Sequence, residues 1–285
     1  MHIVIVGFGL IGASFSAAIQ EAGFDGTITA VVRNEDSGKE AVSQSLAHNF
    51  STNVADAVTT ADVVVLAVPM LAMREQLIAM AKHLPAEAIV TDVGSVKGYF
   101  VKEALAVLSD ATRIVPAHPI AGRELSGMAA ADAGLFKDRR VILTPLSETS
   151  PDAVSVVESL WAKTGAVVEK LAVDHHDRVL AHTSHVPHIV AFALVDALAK
   201  QQEAEEIFRF AAGGFRDFSR IAASDPVMWG DICQTNSSAI LESLDLFGQH
   251  LQNIRSAIEA GDGDTLVRTF ERARDARNQY NDVQS

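Results

Sequence analysis

Short runs of β-branched residues alternate with longer stretches of helical spacing through the first part of the chain. The runs are Ile3 to Val6, Ile28 to Val32, Val63 to Val68, Ile89 to Val93, Arg113 to Pro116, Val141 to Pro145 and Val167 to Leu171. Most are apolar without strict alternation, as strands covered on both faces should be. Strands recurring with helices between them predict an α/β domain with a mostly parallel sheet. After about Ala172 the period changes. Apolar residues recur at helical intervals through Leu241, Leu244, Phe247 and Leu251, then through Leu266, Val267, Phe270 and Ala273. The pattern therefore predicts an α/β domain over 1–172 and an all-α domain over 173–285.

Composition narrows the function. In the 285 residues, 23 Lys and Arg stand against 36 Asp and Glu, a formal charge of -13, with 48% hydrophobic residues. That apolar fraction is ample for two real cores. The acid surplus argues against nucleic acid or an anionic membrane as partner, since both are repelled over a screening length of about 8 Å. Charge does not separate the halves: 13 basic and 19 acidic residues lie up to 172, and 10 and 17 beyond it. One cysteine, Cys233, cannot form an internal disulfide and suits a reducing cytoplasm. The start MHIVIVGFG reads as a strand rather than a signal peptide. No apolar run approaches the roughly 20 residues of a membrane span. The two predicted domains use the whole length, so no further fused domain is expected.

An anionic ligand must then be met by local donors, and the first turn offers them. Gly7-Phe8-Gly9-Leu10-Ile11-Gly12 is G-x-G-x-x-G between an apolar strand and a helix-like stretch, Ala13 to Ala22. The first glycine permits the tight turn, the second lets backbone approach a pyrophosphate, and the third lets the helix pack on the strand. In this context the hexad points to a Rossmann-type dinucleotide-binding domain. An NAD-preferring site usually carries an acid at the end of the second strand. Here the segment is Val31-Val32-Arg33-Asn34, and a guanidinium suits a 2′-phosphate. NADP is therefore expected, with NAD possible because Glu35 and Asp36 follow. The solvated-loop reading of Arg33 stays open. Val68 and Pro69, ending the third run, are placed with the same cofactor-binding set.

Four segments hold polar residues in apolar surroundings: Asp92 to Lys97, Ala117 to Gly122, Ser184 to His188 and Gly213 to Arg220. The first two follow the fourth and fifth runs, where an open α/β sheet borders its ligand crevice. His118 is a candidate proton acceptor, because imidazole titrates near the working pH; a structural histidine in a turn is the alternative. Ser95 could orient a hydroxyl, cap a helix or do both. Lys97 reads as a surface charge that competes weakly as a base. Asp217 and Arg220 are spaced for an intrahelical ion pair, or for an arginine that grips a substrate carboxylate with Asp217 holding it in place. His182, His185 and His188 recur at intervals of three beside His175 and His176. With Pro187 interrupting the spacing and no Cys or Glu adjacent, they make a poor metal set, and no metal is expected.

Together these segments resemble the prephenate and arogenate dehydrogenase family. G-x-G-L-I-G, D-V-G-S-V-K, H-P-I-A-G, S-H-x-P-H, G-F-R-D-x-[ST]-R-[IV]-A and D-P-x-x-W occur in the family's order through nearly the whole chain. The resemblance implies a Rossmann domain followed by a helical dimerisation domain, a homodimer, and oxidative decarboxylation of prephenate, or alternatively arogenate, in tyrosine biosynthesis. It implies that His118 accepts the substrate hydroxyl proton with Ser95 assisting, that Arg220 holds a carboxylate, and that His185 and His188 line the pocket. Glu124, Asp217 and Trp229 match supporting or gating positions. His188 favours prephenate over arogenate. A β-hydroxyacid-type NADP dehydrogenase, recruiting Asp174 or Asp177, is a rival that leaves Ser95, His118 and Arg220 without a role. A non-catalytic NADP-binding sensor is a second rival.

Overall fold

In the computed structural model of the protein, residues 1–122 and 127–284 are described. The chain divides into two compact units, Met1–Ser237 and Ser238–Ser285. The first unit opens with β1 (His2–Val6), α1 (Leu10–Glu21), β2 (Thr27–Val31), α2 (Glu35–Ser43), β3 (Asn49–Ser51) and α3 (Val54–Ala57). It continues with β4 (Val63–Leu66), α4 (Met73–Ala81), β5 (Ile89–Asp92), α5 (Lys97–Val107) and β6 (Ile114–Val115). The six strands form one sheet in the order β3-β2-β1-β4-β5-β6, and every neighbouring pair is parallel. Strand order reverses between β1 and β4, where doubly wound sheets bind ligands. The central strands explain themselves: Ile3, Val4, Ile5 and Val63 to Leu66 are all buried, as a strand covered on both faces requires.

Three further strands, β7 (Ala117–Pro119), β8 (Arg140–Leu143) and β9 (Val167–Lys170), form a second sheet, with α6 (Pro151–Lys163) between the last two. This corrects the expectation of one sheet. The run Arg113 to Pro116 ends early, and the chain moves to β7, which pairs antiparallel with β8 through His118↔Ile142. The described part of the β7-to-β8 connection holds a 3-10 turn but no α-helix, so nothing supplies the helical crossover common for a parallel return. The β8-to-β9 connection contains α6, and that pair is parallel. Trp161 of α6 locks the sheets' shared core, its ring centroid 4.6 Å from that of Phe15 on α1. Strand β3 escaped the sequence pattern because three residues, two of them polar, carry no period.

The unit then becomes helical: α7 (Val173–Leu180), a π-turn over Ala181–His185, α8 (Val186–Ala199), α9 (Ala204–Arg209), α10 (Gly213–Ser219), a 3-10 turn over Arg220–Ala223, and α11 (Pro226–Thr235). Pro187 does not break the run as its spacing suggested. It falls in the first turn of α8, directly after the π-turn, where a missing N–H is tolerated. The second unit is formed by α12 (Ser237–Glu259) and α13 (Gly263–Gln284). It keeps large apolar side chains on its surface, among them Leu246, Phe247, Leu251, Val267 and Phe270. No described helix is long and apolar enough to cross a membrane.

Candidate active site

Two features of the first unit have the makings of a site. The first is the turn from β1 into α1. Gly7 has φ +91, and a Cβ on it would lie 2.4 Å from the Ala67 carbonyl oxygen; one on Gly12 would lie 2.4 Å from the Gly7 carbonyl oxygen. Those two positions are closed to any side chain. Gly9 is the opposite, since a Cβ there would meet nothing within 4 Å. The N-terminus of α1 has no side-chain cap and no acid in its first turn. Uncapped N–H groups facing open space suit the pyrophosphate of a dinucleotide. Phe8 and Leu10 are buried while Ile11 is half-buried, so this part of the turn offers backbone more than side chains. Val68 is in van der Waals range of Gly7, and exposed Pro69 follows it.

At the end of β2, Val32 is half-buried and Arg33 is exposed. Asn34 is the N-cap of α2, its side-chain oxygen accepting from Ser37 N at 2.9 Å. Glu35 is drawn into an exposed pair with Lys39.

The second feature is a buried polar cluster. Lys97 and Asp92 are both fully buried and paired, which corrects the reading of Lys97 as a surface charge. The pair grips the backbone of one residue on both sides. Lys97 Nζ donates to the Ala117 carbonyl at 2.7 Å, and Ala117 N donates to Asp92 Oδ1 at 3.1 Å. Asp92 Oδ2 also accepts from Gly94 N at 2.9 Å. Burial pushes the Asp92 carboxyl up and the Lys97 ammonium down, and each charge offsets part of that cost for the other. Ala117 precedes His118, so the ion pair fixes the backbone that carries the imidazole.

His118 is 8% exposed. Its Nδ1 lies 2.9 Å from His176 Nε2, and His176 Nδ1 lies 2.8 Å from Asp177 Oδ1. Burial, then the nearby His176 and Lys97, hold His118 well below the usual imidazole range. Burial also lowers His176. For Asp177, burial acts upward, but the bonds it accepts outweigh that and hold the carboxyl low. The Asp177 carboxylate receives Lys97 N and Gly98 N, both at 2.8 Å, and so caps α5 from a distant segment. Ser95 is half-buried just ahead and gives α5 no cap bond.

The helical part adds a second cluster. Asn236 Nδ2 donates to the Asp177 carbonyl at 3.0 Å and lies 3.1 Å from His185 Nδ1. His185 is buried, and burial lowers it to about 4. His188 stacks on Trp229, with centroids 3.9 Å apart, and its Nδ1–H donates to the Ser184 carbonyl at 2.8 Å. The Trp229 Nε1–H is buried with no protein acceptor among the described residues, an arrangement that a polar ligand atom would satisfy. Arg220 begins the 3-10 turn that packs on α8, the helix of His188. Asp217 is exposed on α10 and, among the described residues, makes no ion pair with Arg220. Glu124 lies outside the described residues. No group of three or more His, Cys, Asp or Glu among the described residues is arranged to hold a metal.

The structure thus joins His118 to His176 and Asp177 of α7, and His185, His188 and Trp229 to one another. His176, Asp177 and Asn236 were not singled out by pattern for these roles. Their signal was present: His176, Asp177 and Leu180 form the buried face of α7 although two of the three are polar.

A parallel sheet in this order, with a glycine-built anion turn at its first helix, defines a nucleotide-binding α/β protein with a helical continuation. The profile of the prephenate dehydrogenase nucleotide-binding domain matches residues 15–170, and that of the prephenate dehydrogenase dimerization domain matches residues 172–272. The chain belongs to the prephenate dehydrogenase family. It is 38% identical to the cyclohexadienyl dehydrogenase of Zymomonas mobilis over 97% of this chain and 94% of that one. Among solved structures it is similar to the prephenate dehydrogenase of Aquifex aeolicus in complex with hydroxyphenyl propionate and NAD+, with TM-score 0.92 and 34% identity over 98% of each chain. It is also similar to the arogenate dehydrogenase of Synechocystis, with TM-score 0.84 and 29% identity over 98% of this chain and all of the other.

Proposed function

We propose that this protein is an NADP-using prephenate dehydrogenase that converts prephenate to 4-hydroxyphenylpyruvate and carbon dioxide. The observation that carries the reading is a buried, anchored imidazole, His118, on β7, the strand that directly follows edge strand β6 of the nucleotide-binding sheet. The Gly7 to Gly12 turn would hold the pyrophosphate, with Val68 and Pro69 beside it. When bound, the nicotinamide supplies the hydride acceptor.

The chain's own groups do the rest. As the hydroxyl-bearing ring carbon is oxidised, His118 accepts the hydroxyl proton and Ser95 orients that hydroxyl. The bond to the departing carboxylate breaks and its electron pair enters the ring. The proton returns to the phenolate oxygen, leaving a phenol and an unchanged protein. Arg220 holds a substrate carboxylate with His185, His188 and Trp229 lining the pocket, so binding energy is used mainly for alignment.

NADP is favoured because β2 ends without an acid and Arg33 makes no ion pair with the described residues. A homodimer through the helical half is supported by the dimerization-domain match and the exposed apolar residues of α12 and α13. Arogenate is the alternative substrate, supported by the likeness to the Synechocystis enzyme.

The test is to follow absorbance of the reduced cofactor with purified protein, NADP or NAD, and prephenate or arogenate. Turnover highest with NADP and prephenate is expected. Turnover with none of the four combinations would sink the reading, and a preference for arogenate or NAD would replace the corresponding half of it.

A further inference from the structure

We propose that His176 and Asp177 are positioning residues that set the tautomer of His118, and that two backbone N–H groups at the start of α5 fix the direction of the whole chain of hydrogen bonds. The inference rests on the reading of His118 as proton acceptor and adds how the ring is made ready.

The starting point is a pair of donors that cannot be reversed. Lys97 N and Gly98 N each lie 2.8 Å from an oxygen of Asp177. A carboxyl group receiving two such bonds is held ionised, and an ionised carboxylate can only accept. The proton in the 2.8 Å contact between His176 and Asp177 therefore sits on His176 Nδ1. A neutral imidazole protonated at Nδ1 has its lone pair on Nε2. That lone pair faces His118 Nδ1 at 2.9 Å, so His118 must donate there. The lone pair of His118 is left on Nε2, which has no hydrogen-bond partner among the described residues.

The reverse arrangement would need a charged His176 donating to His118 Nδ1. Burial opposes that charge, as does the Lys97 ammonium, and together they outweigh the Asp177 and Asp92 carboxylates, which favour it. The other titratable groups around His118 are Lys97, whose charge is balanced by Asp92, and His185, which burial keeps neutral near pH 7.

One segment thus positions the base twice. Through its side chain, Lys97 holds the Ala117 carbonyl next to His118. Through its backbone N–H, the same residue orients Asp177, then His176, then the His118 ring. Asn236 steadies the relay by donating to the Asp177 carbonyl. Once His118 is protonated, the Nδ1–H bond to His176 becomes charge-assisted, with the Asp177 charge one ring away.

The test reads the tautomer directly. Protein labelled with 15N-histidine is examined by NMR at neutral pH without substrate, the His118 resonances being assigned by their loss in His118→Gln. The expected wild-type spectrum shows His118 protonated at Nδ1. In Asp177→Ala no carboxylate holds the proton on His176 Nδ1, and His118 becomes a mixture of the Nδ1–H and Nε2–H forms. kcat should then fall by about tenfold or more with KM little changed.

Because Asp177→Ala also removes the α5 cap, His176 is varied separately. His176→Gln keeps an acceptor for His118 Nδ1 and should retain kcat within about tenfold, whereas His176→Leu should lose roughly 10²-fold. A wild-type His118 protonated at Nε2 would overturn the proposal, as would equal losses in the Gln and Leu variants. The NMR result stands whether or not the assigned substrate is turned over, so it separates failure of the relay from failure of the functional reading.

Discussion

The glycine turn and the His118 cluster solve the same problem, holding a charged or reacting group, in opposite ways. At the turn the protein supplies absence: a missing Cβ at Gly9, open space beside it, and uncapped N–H groups at the head of α1. At His118 it supplies presence, a buried set of side chains and backbone groups linked by hydrogen bonds from Asp92 to Asn236. The turn comes from one hexad. The cluster draws on segments near 92–98, 117–118, 176–177 and 236, and no single segment means much alone. A vacancy can be built from local sequence, whereas a network needs the finished fold.

That contrast can be broken most forcefully at Lys97. Lys97→Met leaves the buried Asp92 carboxylate uncompensated, and should lower unfolding free energy by about 3–5 kcal/mol in a denaturant titration. A loss below about 1 kcal/mol would mean the pair is not what holds the cluster. The next effect is on pH. His185 is held at about 4 in the fold against an ordinary 6.5, so the unfolded chain binds the proton first. Stability is complete above about pH 6.5 and drains away as pH falls toward about 4; His118 and His176 shift in the same direction. Between pH 7 and pH 5 the His185 share is about 2 kcal/mol, and His185→Gln should flatten the thermal-stability profile by that amount.

Gly9→Ala probes the vacancy. Its backbone angles are open to alanine and the added Cβ meets no protein atom, so Tm should not move. Cofactor Kd, from fluorescence titration, should rise about tenfold, near 1.4 kcal/mol. Unchanged affinity would show that the phosphates lie elsewhere. The smallest effect is expected at exposed Arg33. Arg33→Ala should weaken NADP relative to NAD by roughly fivefold, about 1 kcal/mol, and equal loss on both would remove the 2′-phosphate contact.

The sequence was most legible where structure is local. Apolar runs located most strands, because strands buried on both faces announce themselves without partners. The second sheet was not legible, since antiparallel pairing of β7 with β8 depends on a connection without a described helix and not on either strand's composition. Lys97 was misread for a related reason: a lysine after a serine and a valine looks solvated until Asp92 and the Ala117 carbonyl are brought around it. His118 was found by residue type and by resemblance. His176 and Asp177 gave only a weak hint, two polar residues on the inner face of an amphipathic helix.

The central claim is that cofactor holding and proton transfer are separable, the first belonging to the turn and the second to the cluster. His118→Asn tests it most directly, through cofactor Kd and single-turnover hydride transfer measured on the same preparation. Kd should be unchanged while the rate falls by roughly 10²-fold or more. A rate that survives the substitution, or a Kd that worsens in step with it, would contradict the account.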